Sequence, residues 1–205
     1  MRMDLINWLF QMQPHVKLQS VSIHVAINIV DRYLSKRQMV PTAMKLLGIG
    51  ALRTACIQTE QRTLPTEILI QHATKYKVKS WNIEEMQDLI TSLLHDKLKP
   101  PTVLCFLNVY ARASGIIHHM KIYNLARFLS DMSVLVHQNS IFLPSIIAMC
   151  ILRFALRRVI TQNKQGEIPV VQLTRKLQST MMHSSISEKE VSLCARELHL
   201  NLCKF

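Results

Sequence analysis

Residues 41–57, PTAMKLLGIGALRTACI, constrain this chain more than any other stretch. The run is apolar on nearly every face of a helix, and only Lys45 and Arg53 carry charge. Pro41 stands where a first helical turn tolerates a proline. Gly48, Gly50, Ala51, Ala55 and Cys56 are small, so other backbones can approach closely. Each glycine weakens an isolated helix by about 1 kcal/mol relative to alanine. Such a helix is stable only when surrounded. It is therefore expected to be the hub of a helical domain, with its end at Cys56–Glu60 emerging at the surface.

The rest of the chain reads as further helices. Leu5, Trp8, Leu9 and Met12 recur at helical spacing in residues 1–13, and Pro14 is expected to end that helix. A second runs over Val21–Leu34 with Ile23, Ile27 and Val30 as its apolar stripe. A fourth follows Pro65, with Tyr76–Ser80 as its exit loop. A fifth spans Asn82–His95, with Ile83, Met86, Leu89, Ile90, Leu93 and Leu94 inward. Lys97–Pro101, KLKPP, is a stiff break whose two prolines stop both flanking helices. The pattern then restarts. Thr102 is placed to cap a helix through Ala113, and another covers His118–Val136. Leu143–Pro144–Ser145 opens a second very apolar helix, a counterpart of the hub. Asn163–Glu167 is a turn, and helices near Val170–Ser179 and Ser187–Leu200 complete the set. Five helices followed by five imply an internal duplication. The fold class is all-α, with two units at residues 1–97 and 101–205.

Composition narrows the function. Only four of 205 residues are glycine and 49% are apolar, as suits a compact helical globule. No run reaches the roughly 18 uncharged apolar residues of a membrane span, so no membrane partner is expected. Asp4 and Asn7 interrupt the apolar start, so it does not read as a signal peptide. The five cysteines are odd in number and form no CxxC, which points to free thiols in a reducing compartment. Neighbouring His118 and His119 point apart on a helix, so no metal site is expected. The formal charge is +12. Arg153, Arg157 and Arg158 form one helical cluster and Lys36–Arg37 a loop patch, but no aromatic residues interleave with them. The surplus is read as a solvated basic face, and a nucleic-acid partner is not expected. Gly48-Ile49-Gly50 is too short for a phosphate cradle, and no G-x-S-x-G or H-E-x-x-H occurs. Cys56 has no His or Lys beside it to lower its pKa. No cofactor and no enzymatic activity are expected.

Three segments carry a resemblance. MRMDLINWL, INIVDRYLSKRQMV and KLLGIGALRTAC resemble the cyclin box of the A, B and F types, essentially without gaps over residues 1–56. A weaker likeness continues through PPTVLCFLNVYARAS and LPSIIAMCIL. The resemblance implies two stacked five-helix repeats, an N-terminal cyclin box and a C-terminal cyclin-like repeat. It also implies a buried ion pair between Arg2 and Asp31, of a kind whose loss of one partner costs roughly 3–5 kcal/mol.

At the partner-binding positions the chain departs from the family. Ile57 and Gln87 stand where cell-cycle cyclins have a Lys and a Glu that contact the kinase, and Glu60 and Glu84 lie nearby. Of the family's substrate groove, Met1, Leu5 and Trp8 match, while Asp4, Pro41 and Lys45 replace its Ile, Arg and Gln. With Asp4 present, plain packing of Met1, Leu5 and Trp8 is the favoured reading. The chain begins at the first box helix, whereas family members carry another helix before it.

The expected function is thus a cyclin-like regulator that binds, and activates or targets, a protein kinase of the cyclin-dependent class through an atypical interface. It would act as a monomer within a heterodimer, inside the cell, in nucleus or cytoplasm. The alternative is a kinase-independent adaptor, similar to the F-type cyclins, that recruits protein substrates. A reader of nucleic acid, as in general transcription factors sharing the two-repeat fold, is disfavoured because the MR…W and D-R-Y-L signatures belong to the cell-cycle branch.

Overall fold

The computed structural model describes residues 1–72, 79–95, 97–136, 141–162 and 169–202. The described residues form helices and connections only, and the chain divides into two compact units, Met1–Pro100 and Pro101–Phe205.

The first unit holds α1 (Arg2–Val16), α2 (Ser20–Lys36), α3 (Met44–Glu60), α4 (Thr66–His72) and α5 (Ser80–Leu94). A 3-10 turn at Pro41–Ala43 leads into α3. Every residue of α3 from Leu47 to Leu52 is buried, and α1, α2 and α5 all pack on it. Its two glycines set how close they come. A β-carbon on Gly48 would lie 2.8 Å from Leu5 Cδ1 and 3.3 Å from the Trp8 ring of α1. One on Gly50 would lie 2.9 Å from Met86 Cγ and 3.1 Å from Ile90 Cδ1 of α5. The hub therefore sits between two helices at hydrogen-for-side-chain distance.

Several boundaries differ from the sequence expectation. Pro14 does not end α1. The helix runs one turn further, to Val16, because Val16 and Leu18 are both buried and a proline near a helix end removes only one backbone bond. Lys17 then takes a left-handed conformation, φ 49°, and the Leu18 N–H returns to the Gln13 carbonyl at 3.1 Å. Cys56 does not emerge at the surface. It is fully buried, and burial pushes its thiol pKa up. Ser80 is the first residue of α5 rather than part of a loop. Leu89 and Leu93 are half-buried, and Ile83, Met86, Ile90 and Leu94 form the buried face of α5. Residues 73–78 and 163–168, with most of the exit loop and the turn assigned there, lie outside the described residues.

The second unit repeats the plan with α6 (Val103–Ser114), α7 (Met120–Leu135), α8 (Pro144–Gln162), α9 (Val170–His183) and α10 (Glu188–Leu202). The Thr102 hydroxyl accepts the Cys105 N–H at 3.4 Å and caps α6. Gly115 ends that helix at φ 78°, a conformation that favours glycine. His118 belongs to a short 3-10 turn, Ile116–His118, ahead of α7. Helix α8 is the counterpart of α3: Ile146–Leu152 is buried without interruption, and α6, α7, α9 and α10 pack on it. Cys56, Cys150 and Cys194 are buried free thiols and Cys105 is half-buried. Among the described residues, no His, Cys, Asp or Glu cluster is arranged to hold a metal, and no helix is long and apolar enough to cross a membrane.

The tightness of the α3–α5 contact makes a testable point. Gly50→Val should raise intrinsic helix propensity yet cost about 1–3 kcal/mol, because the added methyls meet Met86 and Ile90. Urea unfolding followed by far-UV circular dichroism measures the balance; a variant as stable as the parent would mean that α5 can retreat from α3.

Candidate partner-binding surface

Two ion-paired corners orient the helices of the first unit. At the first, Arg2 Nε donates to Asp31 Oδ1 and Arg2 Nη2 to Asp31 Oδ2, both at 2.7 Å, a bidentate fork joining the start of α1 to α2. The pair is less secluded than the sequence resemblance implies. The side chains are 21% and 29% exposed, so water screens them in part.

The second corner was not legible in the sequence, and it decides what Glu60 can do. Glu60 Oε1 accepts the Gln19 N–H at 2.8 Å and the Ser22 hydroxyl, while Oε2 accepts Arg62 Nε at 2.9 Å. Arg62 Nη2 donates onward to the Val16 and Lys17 carbonyls, at 3.1 and 2.8 Å. A carboxylate thus caps the N-terminus of α2, and a guanidinium caps the C-terminus of α1. The Glu60 side chain is only 7% exposed. Burial pushes its carboxyl pKa up, but the Ser22, Gln19 and Arg62 bonds outweigh that and hold it below the usual range. Glu60 is a tie between helices rather than a charge offered outward.

The other kinase-interface candidates lie on α3 and α5. Ile57 is half-buried in the last turns of α3. Glu84 is exposed and Gln87 half-buried on α5, a helix that packs on α3. Arg53, one helical turn before Ile57, carries a signal that the sequence did not single out. Its Nε and Nη1 are out of solvent and have no hydrogen-bond acceptor among the described residues. Unmade hydrogen bonds of a buried donor typically cost about 1–3 kcal/mol.

The groove candidates do not form one exposed surface. Leu5 is 4% exposed and packs against Gly48, so it belongs to the core. Trp8 is half-buried, and Lys45 Nζ stands 5.9 Å from its ring centroid in a cation–π arrangement. Met1 is 72% exposed, and its amino group pairs with Asp4 at 2.9 Å, well out in solvent. Lys36 and Arg32 are also engaged, donating to the Leu93 carbonyl at 3.0 Å and to the Lys97 carbonyl.

Two consecutive five-helix units, each built around a buried third helix, define the class of the fold. Residues 1–99 match the model of the cyclin N-terminal domain and residues 101–204 that of the cyclin C-terminal domain. The chain belongs to the cyclin family. It is 27% identical over 198 residues to a G2/mitotic-specific cyclin-B of Dictyostelium discoideum, covering 97% of this chain and 42% of that one. It is 30% identical over 148 residues to Cyclin-B1-3 of Arabidopsis thaliana, covering 72% of this chain and 35% of the relative. It therefore spans less than half the length of these relatives. Among solved structures, a viral cyclin from herpesvirus saimiri superposes with a TM-score of 0.70 at 16% identity, covering 96% of this chain and 85% of that one. A chain of the yeast RNA Pol II CTD kinase CTDK-1 complex gives 0.70 at 13% identity, covering 96% and 63%. These structural likenesses concern the fold.

Both corners yield expectations. Because the Arg2–Asp31 fork is partly solvated, Asp31→Ala should cost about 1–3 kcal/mol, less than a fully buried pair would. A double-mutant cycle with Arg2→Ala isolates the coupling. For Glu60, the folded-state pKa lies below the unfolded one, so the unfolded chain binds more protons at acid pH. Its contribution is complete above about pH 5 and fades as pH falls through the folded pKa. Parent stability should therefore drop more steeply than that of Glu60→Gln between about pH 5 and pH 3, read as urea midpoints at each pH.

Proposed function

We propose that this chain is the kinase-binding part of a cyclin, docking on a protein kinase of the cyclin-dependent class and favouring its active arrangement. The observation that carries the reading is the match of both halves to the cyclin models, over residues 1–99 and 101–204. The mechanism is a population shift: contacts made only with the active arrangement of the kinase stabilise that arrangement. The chain itself contributes no reacting group and acts as the single regulatory subunit of a heterodimer inside the cell.

The interface we propose is atypical. Ile57 offers a half-buried apolar contact where cell-cycle cyclins carry a lysine, and Gln87 a neutral one where they carry a glutamate. Glu60 is engaged within the unit. Arg53, half-buried one turn before Ile57, is the cation we assign to the partner: its Nε and Nη1 lack an acceptor among the described residues, and being out of solvent in the isolated chain they meet one only when the side chain swings outward on docking. A carboxylate or carbonyl of the kinase would supply it. A charge-assisted bond formed on docking adds to affinity what is left after the side chain has been uncovered, and that remainder is favourable because the donors had no acceptor beforehand.

Co-purification of the full-length protein with a panel of cyclin-dependent-class kinases tests the assignment. A stable one-to-one complex with at least one kinase is expected; none with any would return the chain to the adaptor reading. Arg53→Leu tests the interface. It should leave the isolated chain as stable as before, or more so, because unmet buried donors disappear. It should also weaken kinase capture about tenfold, the effect of about 1.4 kcal/mol. Unchanged capture would remove Arg53 from the interface.

A further inference from the structure

The arginine cluster of α8 has no place in that function, and the structure gives it a setting. Arg153 and Arg157 border a cleft between α8 and α9, whose lining also includes Glu188 at the start of α10. Its volume is about 430 Å³, within the range of ligand-sized sites. The floor is apolar: Leu156, Leu177 and Met181 are buried there, and Ile160 is half-buried. Thr174 and Gln178 are exposed along the α9 edge, and Arg157 is exposed on the α8 edge.

The cleft is asymmetric in charge. Two guanidinium groups face one carboxylate. Arg153 Nη1 donates to Glu188 Oε1 at 2.6 Å, so Glu188 engages Arg153, while Arg157 has no carboxylate of its own in the lining. The buried Cys150 thiol is held below its usual range chiefly by the hydrogen bond from Cys194, against burial, with the charges of Arg153 and Arg157 adding to it.

We infer that this cleft binds a short acidic peptide segment of a protein partner, with an apolar side chain on the floor and a carboxylate on Arg157. Length, floor and charge each select this occupant. Residues 153–160 of α8 span about 10 Å along the helix axis, which matches about three residues of extended chain. A lone inorganic anion would leave the apolar floor uncovered. A nucleic-acid strand would want aromatic stacking platforms, and the lining contains none. A guanidinium pairs with a carboxylate in a planar fork, and beside an apolar wall that pair is less screened than on an open surface. Glu188 acts as an internal competitor: its carboxylate takes one of the two arginines that the peptide would otherwise use. The inference does not depend on kinase pairing.

Methyl NMR on the 205-residue chain tests it directly, with acetyl-Glu-Leu-Glu-Leu-Glu-amide as the probe. Saturable shifts are expected at the methyl groups of Leu156, Ile160, Leu177 and Met181. The same peptide with Gln for Glu, or Ser for Leu, should bind at least threefold more weakly. Arg157→Gln, an exposed substitution that leaves the core intact, should weaken the acidic peptide at least threefold, as should raising the salt concentration. Glu188→Gln should tighten it by a factor of two or more by freeing Arg153. Absence of shifts at those methyls, equal binding of the Gln peptide, indifference to Arg157→Gln, or binding of inorganic phosphate in the peptide's place would each overturn the proposal.

Discussion

How near other helices come to α3 sets everything else in the first unit. At Gly48 and Gly50 the helix presents only hydrogen, and Leu5, Trp8, Met86 and Ile90 occupy the space that side chains would take. An isolated helix with two interior glycines has little reason to form. Here, burial from Leu47 through Leu52 provides that reason. The same contact has a functional consequence. By drawing Leu5 into the core it withdraws one of the three side chains matched to the family's substrate groove, and leaves Trp8 half-covered beneath Lys45.

Charge is arranged with comparable economy. With 13 acidic residues against 25 Lys and Arg, carboxylates are the scarce partner. Several of them bind within the fold. Asp31 holds Arg2, Glu60 joins three helix ends with Arg62, and Glu188 takes Arg153. The helix-end carbonyls take up further cations, as at Lys36 and Leu93. What remains outward is an excess of positive groups, among them Arg157 over an apolar cleft. The net charge of +12 is therefore better described by where the acids are bound than by where the bases lie.

Much of the architecture was legible because helical periodicity and helix-breaking residues are local signals. The hub, the cap at Thr102, the break at KLKPP and the second apolar helix at Pro144 all rest on residues within a turn or two of one another. The misreadings share a cause. Pro14 is a helix stop by local rule, yet Val16 and Leu18 are buried two and four residues later, and that burial carries the helix through. Cys56 and Glu60 looked like an emerging helix end. The first is sealed into the core, and the second is tied to Gln19 and Ser22, some forty residues earlier in the chain.

The sequence by itself determined that this protein is helical, that its helices come as five and five, and that a small-residue helix lies at the centre of the first set. Those properties follow from residue size and a period of 3.6, which need no knowledge of neighbours. Only the tertiary structure decided which charges are satisfied internally and which keep unmet donors among the described residues. Glu60 and Arg53 lie seven positions apart on α3 and belong to the same pattern, yet one is bonded through both carboxylate oxygens and the other has donors unmet among the described residues. The period places a side chain on a face. What meets it there depends on segments distant in sequence, whose approach is set by close packing rather than by any local rule.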